Sequence, residues 1–304
     1  MDNNENHASY DLHLHTCWSY DATAPVEYYF KRARELKLRT IAITEHFSMD
    51  SLPEILSVSK QYPDVRFIPA AEMTVSVSGG GAVDMVCLGL PTEIPNELEK
   101  VFEAYRQWQR DFGDAISEGL RKKGFVYEKD DRFSLIKQYR PQNTIDKQGM
   151  TLVQNGIQRD HLIGLGAIRN NMEYSELLQG FDLPKLPGPD KVLPVIKNCG
   201  GLVAIAHPTG YFNRNDLKRM DALREELGFE GIECAHDLVP DELTPFYREY
   251  CLKHGLFSTA GSDNHADPAN NPYKIGAHHK FARHKGQPEW LEEILQRLTL
   301  RKQA

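Results

Sequence analysis

Short apolar, β-branched runs alternate with helical patterns at both ends of the 304-residue chain. The runs predict seven strands, at residues 9–15, 40–44, 65–71, 83–90, 202–207, 231–235 and 256–260. Between the strands, apolar residues recur at helical spacing, as Val26, Tyr29, Phe30, Ala33 and Leu36 do. This alternation is typical of a parallel sheet covered by helices, and seven strands indicate an α/β barrel close to the (β/α)8 plan.

One long segment interrupts the alternation. From residue 95 to 189 the pattern is nearly all helical, which predicts a helical insertion or cap between two halves of one barrel, 8–94 and 190–285. The last segment, 286–304, is predicted to be a C-terminal helix packed on the barrel. Within the insertion, residues 121–140 hold seven basic residues against three acidic ones. A solvated helix end and a surface for a phosphate-bearing substrate both explain this run, and the choice stays open.

Composition narrows the class of protein. Hydrophobic residues make up 40% of the chain and charged residues 26%, which excludes a disordered chain, a collagen and a membrane protein. The formal charge of −7 argues against a protein that binds nucleic acid over its whole surface. The N-terminus has no signal-peptide pattern, and the five scattered cysteines lack CxxC spacing. We therefore expect a cytoplasmic protein with free thiols, whose oligomeric state the composition does not indicate.

Residue types that bind metals occur at the ends of five predicted strands. His13 and His15 are two residues apart, so in an extended strand both imidazoles face the same side. Because the C-terminal ends of barrel strands meet at one mouth, we expect seven such side chains to converge there. They are His13, His15, His46, Glu72, His207, Asp263 and His265. A single histidine at a strand end is more often structural, but five strand ends in order predict a site.

Imidazole and carboxylate groups without a nearby thiolate suit Zn²⁺, Mn²⁺ or Fe²⁺ rather than a structural Cys-zinc site. Carboxylates also bridge ions, so a cluster of more than one metal fits the residues. Paired metals activate a water molecule and neutralise the charge of a phosphate together. The ligand types therefore predict hydrolytic metal chemistry.

The motifs resemble a known family. DLHLHT at 11–16, AITEH at 42–46, AAE at 70–72, IAHP at 205–208 and GSDNH at 261–265 are similar to the ordered motifs of the PHP (polymerase and histidinol phosphatase) domain. The helical insertion further resembles the free-standing PHP phosphoesterases, which include nucleotide phosphatases and 5′→3′ exonucleases acting on RNA. The resemblance implies a distorted (β/α)7 TIM-like barrel with two or three divalent ions (manganese, zinc or iron) at its mouth, held by the seven convergent residues.

Three positions depart from the subfamily pattern or shift within it. Asp21 lies one place later than the usual aspartate, as in other PHP branches, and the resemblance makes it a metal ligand. Asp84 stands where the family generally has a histidine at the start of its fourth strand, and a carboxylate there still binds a hard metal. Glu45 stands in place of the usual aspartate beside His46, where it would support a ligand without binding the metal.

Substrate contacts also follow from the resemblance. Arg159 and His161 match the segment that presents an arginine and a histidine to the phosphate. Arg214 is a candidate for the arginine that the subfamily places soon after the His-Pro of strand five. His236, just past strand six, is placed to contact substrate and, with His207, is our candidate for a catalytic role. A surface arginine and a structural histidine remain open alternatives for these positions.

We therefore expect a metal-dependent phosphoesterase, a phosphoric ester hydrolase, acting on a nucleotide or a short single-stranded oligonucleotide end. A metal-activated hydroxide would attack the phosphorus. The alternatives are a histidinol-phosphate phosphatase, an amidohydrolase-like amide hydrolase on the same metal barrel and, least favoured, a non-catalytic PHP domain. The basic residues of the insertion argue against amide hydrolysis, and the seven retained family positions argue against loss of catalysis.

Overall fold

The computed structural model describes residues 8–148 and 152–303, and these contain eight strands and eleven α-helices. The strands are β1 (Tyr10–Asp11), β2 (Thr40–Ile41), β3 (Arg66–Phe67), β4 (Ala70–Ser76), β5 (Ala82–Leu88), β6 (Leu202–Ile205), β7 (Gly231–Ala235) and β8 (Phe257–Ala260). The helices are α1 (Val26–Leu36), α2 (Leu52–Ser59), α3 (Asn96–Lys122), α4 (Lys129–Ile136), α5 (Gln142–Gln148), α6 (Asn155–Gly164), α7 (Glu173–Gln179), α8 (Pro189–Asn198), α9 (Leu217–Leu227), α10 (Leu243–His254) and α11 (Pro288–Gln303). Within those two ranges, no helix has the length and apolar character that a membrane-spanning segment requires.

The mixed α/β fold contains two sheets. β1, β2 and β3 pair in parallel, and β4 to β8 form a second sheet in chain order. Backbone contacts connect the sheets on both sides: the Leu12 amide donates to the Ala260 carbonyl at 3.2 Å, and His46 forms a parallel bridge with Glu72. Since the described strands form two sheets and not one continuous ring, closure into a (β/α)7 barrel stays a prediction.

The prediction of an all-parallel sheet is wrong for β4, β5 and β6. The predicted strand at 65–71 divides at Pro69 into β3 and β4, and β5 pairs antiparallel with both β4 and β6. Gly79, Gly80 and Gly81 reverse the chain between β4 and β5, with φ between 83° and 94°. Glycine adopts such angles without the steric cost of a Cβ atom. The three glycines thus form the turn of the β4–β5 hairpin, and the eighth strand comes from the division at Pro69.

The segment 95–189 contains five helices and a hydrophobic cluster of its own. Ile116, Leu120, Tyr127 and Leu162 are buried in this cluster, whose members all lie between residues 112 and 183. A larger cluster lies along the strands and includes residues of α8 to α11 and of the first half of α3. The division of the chain into a barrel and a cap stays a prediction, because α3 contributes to both clusters.

Candidate metal centre

Four histidines that follow three different strands surround one carboxylate. Glu72, on β4, is 1% exposed and lies at the centre of the cluster. Its carboxylate oxygens are 3.3 Å from His13 Nε2 and 3.2 Å from His15 Nε2. They are also 3.2 Å from His46 Nδ1 and 3.3 Å from His207 Nε2. The structure therefore brings together side chains that are up to 194 positions apart in the sequence (13 to 207).

Two aspartates complete the cluster. Asp263 Oδ1 is 3.1 Å from His15 Nε2. Asp21 Oδ1 is 3.3 Å from His46 Nε2 and 3.7 Å from His265 Nε2. All seven residues predicted from the strand ends, together with Asp21, thus lie in one place.

Asp84 lies at the edge of the cluster. Its Oδ2 atom is 3.7 Å from His207 Nε2. The Thr74 hydroxyl donates to Asp84 Oδ1 at 2.5 Å, and the Tyr211 hydroxyl donates to Oδ2 at 2.5 Å. Asp84, His207 and Glu72 offer ligand atoms that all lie within 4.8 Å of one another. Asp84, which stands in place of the family histidine, could therefore bind the same ion as Glu72 and His207. Two hydroxyl groups orient its carboxylate.

Hydrogen bonds determine which nitrogen of His13 and His265 faces the cluster. His13 Nδ1 is 3.0 Å from Glu233 Oε1, and His265 Nδ1 is 2.6 Å from the Asp263 backbone carbonyl. A carboxylate or carbonyl oxygen only accepts, so Nδ1 carries the proton in both rings. In the neutral ring, each Nε2 atom then presents a lone pair to the cluster, as a metal ligand must.

His15 has the same arrangement through a longer chain of contacts. Its Nδ1 atom is 3.2 Å from Ser19 Oγ, and the Ser19 hydroxyl donates its own proton to Glu45 Oε2 at 2.5 Å. His15 Nδ1 must therefore be the donor to Ser19, which leaves a lone pair on Nε2. Glu45 is buried and acts on the cluster through Ser19 without reaching it directly.

His236 has the opposite tautomer. Its Nδ1 atom accepts a hydrogen bond from the Leu238 amide at 2.8 Å, so in the neutral ring the proton lies on Nε2. That Nε2 atom is 3.8 Å from Asp263 Oδ2 and is buried. A protonated Nε2 donates a hydrogen bond and offers no lone pair to a metal. His236 therefore suits a donor role beside the cluster and not a ligand role in it.

The close carboxylates raise the pKa values of the histidines. Burial lowers the pKa of His46, but Asp21 and then Glu72 outweigh it and raise the pKa to about 10. Burial also lowers the pKa of His207, and Glu72 raises it to about 9. In turn, burial raises the pKa of Glu72, but the neighbouring imidazoles, His13 first, hold it well below its usual range. Protons therefore occupy the cluster in the absence of cations.

Buried polar atoms without a hydrogen-bond partner test whether the site fits a metal. Within the part of the chain that the structure describes, such atoms include Nε2 of His13 and His15, Nδ1 of His46, Oε1 of Glu72 and Oδ1 of Asp21. Buried polar atoms are rarely left unpaired in proteins, because desolvation then goes uncompensated. Divalent cations would satisfy these nitrogen and oxygen atoms, and this donor set suits Zn²⁺, Mn²⁺ or Fe²⁺. The residues therefore fit the metals that the motifs imply.

Two buried residues of the site were missed in the sequence. Glu233 on β7 is 3.0 Å from His13 Nδ1 and accepts the His207 amide at 2.7 Å. His279 Nε2 is 3.5 Å from Asp263 Oδ2. The signal for Glu233 was a carboxylate inside an apolar strand, whereas His279 lies in a loop, where spacing carries no information.

A cavity of about 310 Å³ opens onto the cluster, and we call it the ligand cavity. Tyr20, Phe47, Thr74 and Gln154 line it together with the clustered carboxylates and histidines. No lysine or arginine is found among the described residues that line it. In the metal-free protein, the positive charge that balances the four carboxylates (Asp21, Glu72, Asp84 and Asp263) comes from the protonated histidines of the cluster.

The predicted phosphate contacts lie outside this lining. Arg159 Nε donates to the Asn155 carbonyl at 3.1 Å, and its guanidinium lies 5.9 Å from the centre of the Tyr174 ring. The His161 ring lies against Tyr127, at 5.3 Å between ring centres. In a separate loop, Arg214 pairs with Glu242 at 2.9 Å. Their role toward substrate stays a prediction, and Gln154 is the residue that the insertion contributes to the cavity wall.

The insertion also holds the loop that carries Asp21. Arg140 is buried and donates to the carbonyls of Cys17 at 3.0 Å and Trp18 at 3.1 Å. The Tyr139 hydroxyl donates to the Tyr20 carbonyl at 2.7 Å. Arg140 belongs to the basic run at 121–140, but it is buried and binds backbone carbonyls. This part of the run is therefore neither a solvated helix end nor a surface for phosphate.

The comparisons with known proteins agree with this geometry. The PHP domain model matches residues 11–179, which is more than half of the chain. No curated protein matches the chain.

Two solved structures share the fold. One is a protein from Bifidobacterium adolescentis that is described by prediction as a metal-dependent phosphoesterase. Its TM-score is 0.71 at 21% identity, and the alignment covers 95% of this chain and 96% of that protein. The other, an amidohydrolase from Chromobacterium violaceum with bound sulfate and no metal, has a TM-score of 0.71 at 20% identity and covers 97% of both chains.

Proposed function

Because the chain belongs to the PHP domain family, we propose that it is a metal-dependent phosphoesterase that removes a phosphate from a nucleotide or the end of a short oligonucleotide. The observation that carries the proposal is the convergence of unpaired imidazole and carboxylate atoms on one buried cluster. The tautomers of His13, His15 and His265 support it, because each ring presents an Nε2 lone pair to that cluster.

The ligands fall into three groups around shared carboxylates. They are His13, His15, Glu72 and Asp263; His15, His46 and His265, with Asp21 beside the last two; and Glu72, Asp84 and His207. When bound, two or three divalent ions (Mn²⁺, Zn²⁺ or Fe²⁺) supply the charge that activates water and neutralises phosphate oxygens. Glu72 and Asp263 would be shared between ions or between an ion and its supporting residues.

Other residues of the chain orient the ligands and hold protons. Glu233 fixes the His13 ring and accepts the His207 amide. His236 keeps its proton on Nε2 beside Asp263, where it can donate a hydrogen bond to the carboxylate or to a bound phosphate oxygen. Arg159, His161 and Arg214 would contact substrate only after a rearrangement of their present hydrogen bonds and ion pairs.

Backbone contacts between the two sheets suggest how the clustered side chains are held together. We infer that the two sheets act as one distorted (β/α)7 barrel, because the Leu12–Ala260 hydrogen bond and the His46–Glu72 bridge join them at both edges. We also infer a cytoplasmic location, because all five cysteines are free thiols and a reducing compartment preserves thiols.

The test is an assay of the purified protein with each metal in turn. The substrates are a nucleoside monophosphate, a 5′-phosphorylated short RNA, histidinol phosphate and an N-acyl amino acid. We expect metal-dependent release of phosphate from one or both nucleotide substrates. Phosphate release from histidinol phosphate alone would contradict the substrate class, and absence of phosphate release with every metal would contradict the phosphoesterase itself.

A further inference from the structure

Two buried cysteines join β7 to α10 through a contact between their sulfur atoms. Cys234 Sγ on β7 is 3.7 Å from Cys251 Sγ on α10, the helix that packs against this strand. Both side chains are fully buried. Among the described residues, no other two cysteines have their sulfur atoms in hydrogen-bonding contact. A disulfide bond needs a sulfur–sulfur separation of about 2.05 Å, so a small displacement would join this pair.

Cys234 lies at a β-bulge. Glu233 pairs with Thr259 of β8, and Ala235 pairs with the very next residue, Ala260, so Cys234 has no partner in the described ladder with β8. The ladder between β7 and β6 ends before it. A strand bends at such an unpaired residue. The backbone of β7 is therefore least restrained at the residue that carries the thiol.

The bulge connects the thiol pair to the metal centre. On one side of Cys234, Glu233 is 3.0 Å from His13 Nδ1 and accepts the His207 amide at 2.7 Å. On the other side, His236 Nε2 lies 3.8 Å from a carboxylate oxygen of the cluster. Residues three apart face opposite sides of a regular strand, and the extra residue of the bulge lets Glu233 and His236 face the same cluster. A displacement of Cys234 would therefore move both of them.

Hydrogen bonds favour Cys234 as the thiol that reacts first. Its Sγ atom is 3.3 Å from Ser258 Oγ and in contact with the Cys251 thiol, and both neighbours can donate a hydrogen bond to a thiolate. Arg248 donates to Ser258 Oγ at 3.0 Å, which places a positive charge one hydrogen bond further away. Burial raises the pKa of the Cys234 thiol, so the thiolate is scarce and its reaction is slow.

We propose that Cys234 and Cys251 are a redox-sensitive pair that hydrogen peroxide converts to a disulfide, and that this disulfide weakens the metal centre through the bulge of β7. The Cys234 thiolate attacks one peroxide oxygen, which breaks the O–O bond, forms a sulfenic acid and releases water once the lost thiol proton is taken up. The Cys251 sulfur then attacks the Cys234 sulfur, so that the S–S bond forms, the S–O bond breaks and a second water leaves. Two thiols thus lose two electrons and two protons to one peroxide molecule. Because both sulfur atoms are buried, the oxidant must be as small as hydrogen peroxide.

Formation of the disulfide pulls on the bulge. The sulfur atoms must approach from 3.7 Å to about 2.05 Å, and the unpaired backbone at Cys234 yields to that movement. A lengthening of about half an ångström takes the contact between Glu233 and His13 beyond hydrogen-bonding distance. Loss of a residue that supports a ligand lowers metal affinity about 10- to 100-fold. This effect on the metal rests on the proposed function, whereas formation of the disulfide does not.

The test treats the metal-free protein with an excess of hydrogen peroxide, removes the peroxide with catalase and measures Mn²⁺ affinity by competition with a chelator. We expect mass spectrometry of an unreduced digest to find the peptides of Cys234 and Cys251 linked, and Mn²⁺ affinity to fall about tenfold. Dithiothreitol should reverse both changes, which distinguishes the disulfide from oxidised methionine.

The variant Cys234→Ala lacks the thiol that reacts first, and Cys199→Ser, a half-buried cysteine outside the pair, is the matched control. After peroxide treatment, Cys234→Ala should keep the affinity that it had before, and Cys199→Ser should lose affinity as the wild type does. Absence of the linked peptides in the wild type, linked peptides without a change in affinity, or an equal loss in Cys234→Ala would overturn the inference.

Nuclear magnetic resonance of ¹⁵N-labelled histidines separates this inference from the proposed function. If the reduced wild-type protein binds no metal, the phosphoesterase proposal fails, and the metal-free protein decides the second question. In the reduced form, the hydrogen bond to Glu233 protects the Nδ1 proton of His13 from exchange with water. Loss of that protected signal on oxidation, and its return with dithiothreitol, supports the redox-sensitive pair. An unchanged signal overturns it.

Discussion

The strand ends and the helical insertion contribute to the same cavity in different ways. The strand ends supply the clustered imidazoles and carboxylates, all of them buried or half-buried. The insertion supplies Gln154 to the wall and, through Tyr139 and Arg140, holds the loop that carries Asp21. The strand ends therefore carry the groups that would do the chemistry, whereas the insertion positions the loop that carries Asp21. Changes at the strand ends should therefore have larger effects than changes in the insertion.

The largest effect is expected from Glu72→Gln. Glu72 contacts four histidines, and loss of its charge would remove a ligand that two of the proposed ion positions share. A metal ion supplies several kcal/mol of transition-state stabilisation, so we expect phosphate release to fall by on the order of 10³-fold. Metal content, measured by elemental analysis, should fall with it. The exposed Glu249→Gln is the matched control, and equal activity in the two variants would contradict the assignment.

A smaller effect is expected from Glu233→Gln. This change leaves one oxygen, which can accept from His13 Nδ1 or from the His207 amide but not from both, and it removes the negative charge that makes the His13 ring a stronger ligand. Metal affinity should fall about 10- to 100-fold, as for other residues that support a ligand. Competition with a chelator measures the affinity, and a thermal unfolding curve checks that the metal-free variant is folded. An unchanged affinity would show that Glu233 does not act on the metal.

The pH dependence of metal binding tests the charge of the cluster. His46 and His207 have pKa values raised to about 10 and about 9 in the metal-free protein, so both are protonated at neutral pH. Ligation needs neutral rings, and bound metal must displace those protons. Affinity should therefore rise with pH toward about 9–10, by up to about tenfold per pH unit for each displaced proton. Calorimetry in buffers of different ionisation enthalpy measures proton release, and zero release would contradict the account.

The smallest effect is expected from Arg140→Met in the insertion. The change leaves the Cys17 and Trp18 carbonyls without their donor and loosens the loop before Asp21. An unpaired buried group costs about 1–3 kcal/mol, and only the ion near Asp21 and His265 should bind more weakly. Stepwise Mn²⁺ titration separates that ion from the others, and Arg121→Met is the exposed control in the same insertion. Weaker binding of every ion would mean that Arg140 supports the whole fold.

The sequence predicted which side chains converge better than it predicted the sheet. Side chains at strand ends obey simple rules: residues two apart face one side, and parallel strand ends meet, so His13 and His15 could be placed beside Asp263. The same rules could not separate β4 from β3 across Pro69 or reveal that β5 runs antiparallel, because apolar runs do not encode strand direction.

The positions of the residues proposed to face the substrate were harder to predict, for a related reason. Loops position their residues through particular hydrogen bonds, and neither the Leu238 amide on His236 nor the place of His279 follows from spacing. Arg159 was predicted from resemblance, but in the structure its guanidinium lies against Tyr174.

The most direct test of the metal centre is anomalous diffraction from crystals soaked in Mn²⁺. We predict two or three peaks in the ligand cavity, with Nε2 of His13, His15 and His265 among the atoms bound to the ions. His236 should remain unbound, with its Nδ1 atom still accepting from the Leu238 amide. Absence of a peak between Glu72 and Asp263, or a peak ligated by His236 Nε2, would contradict the account.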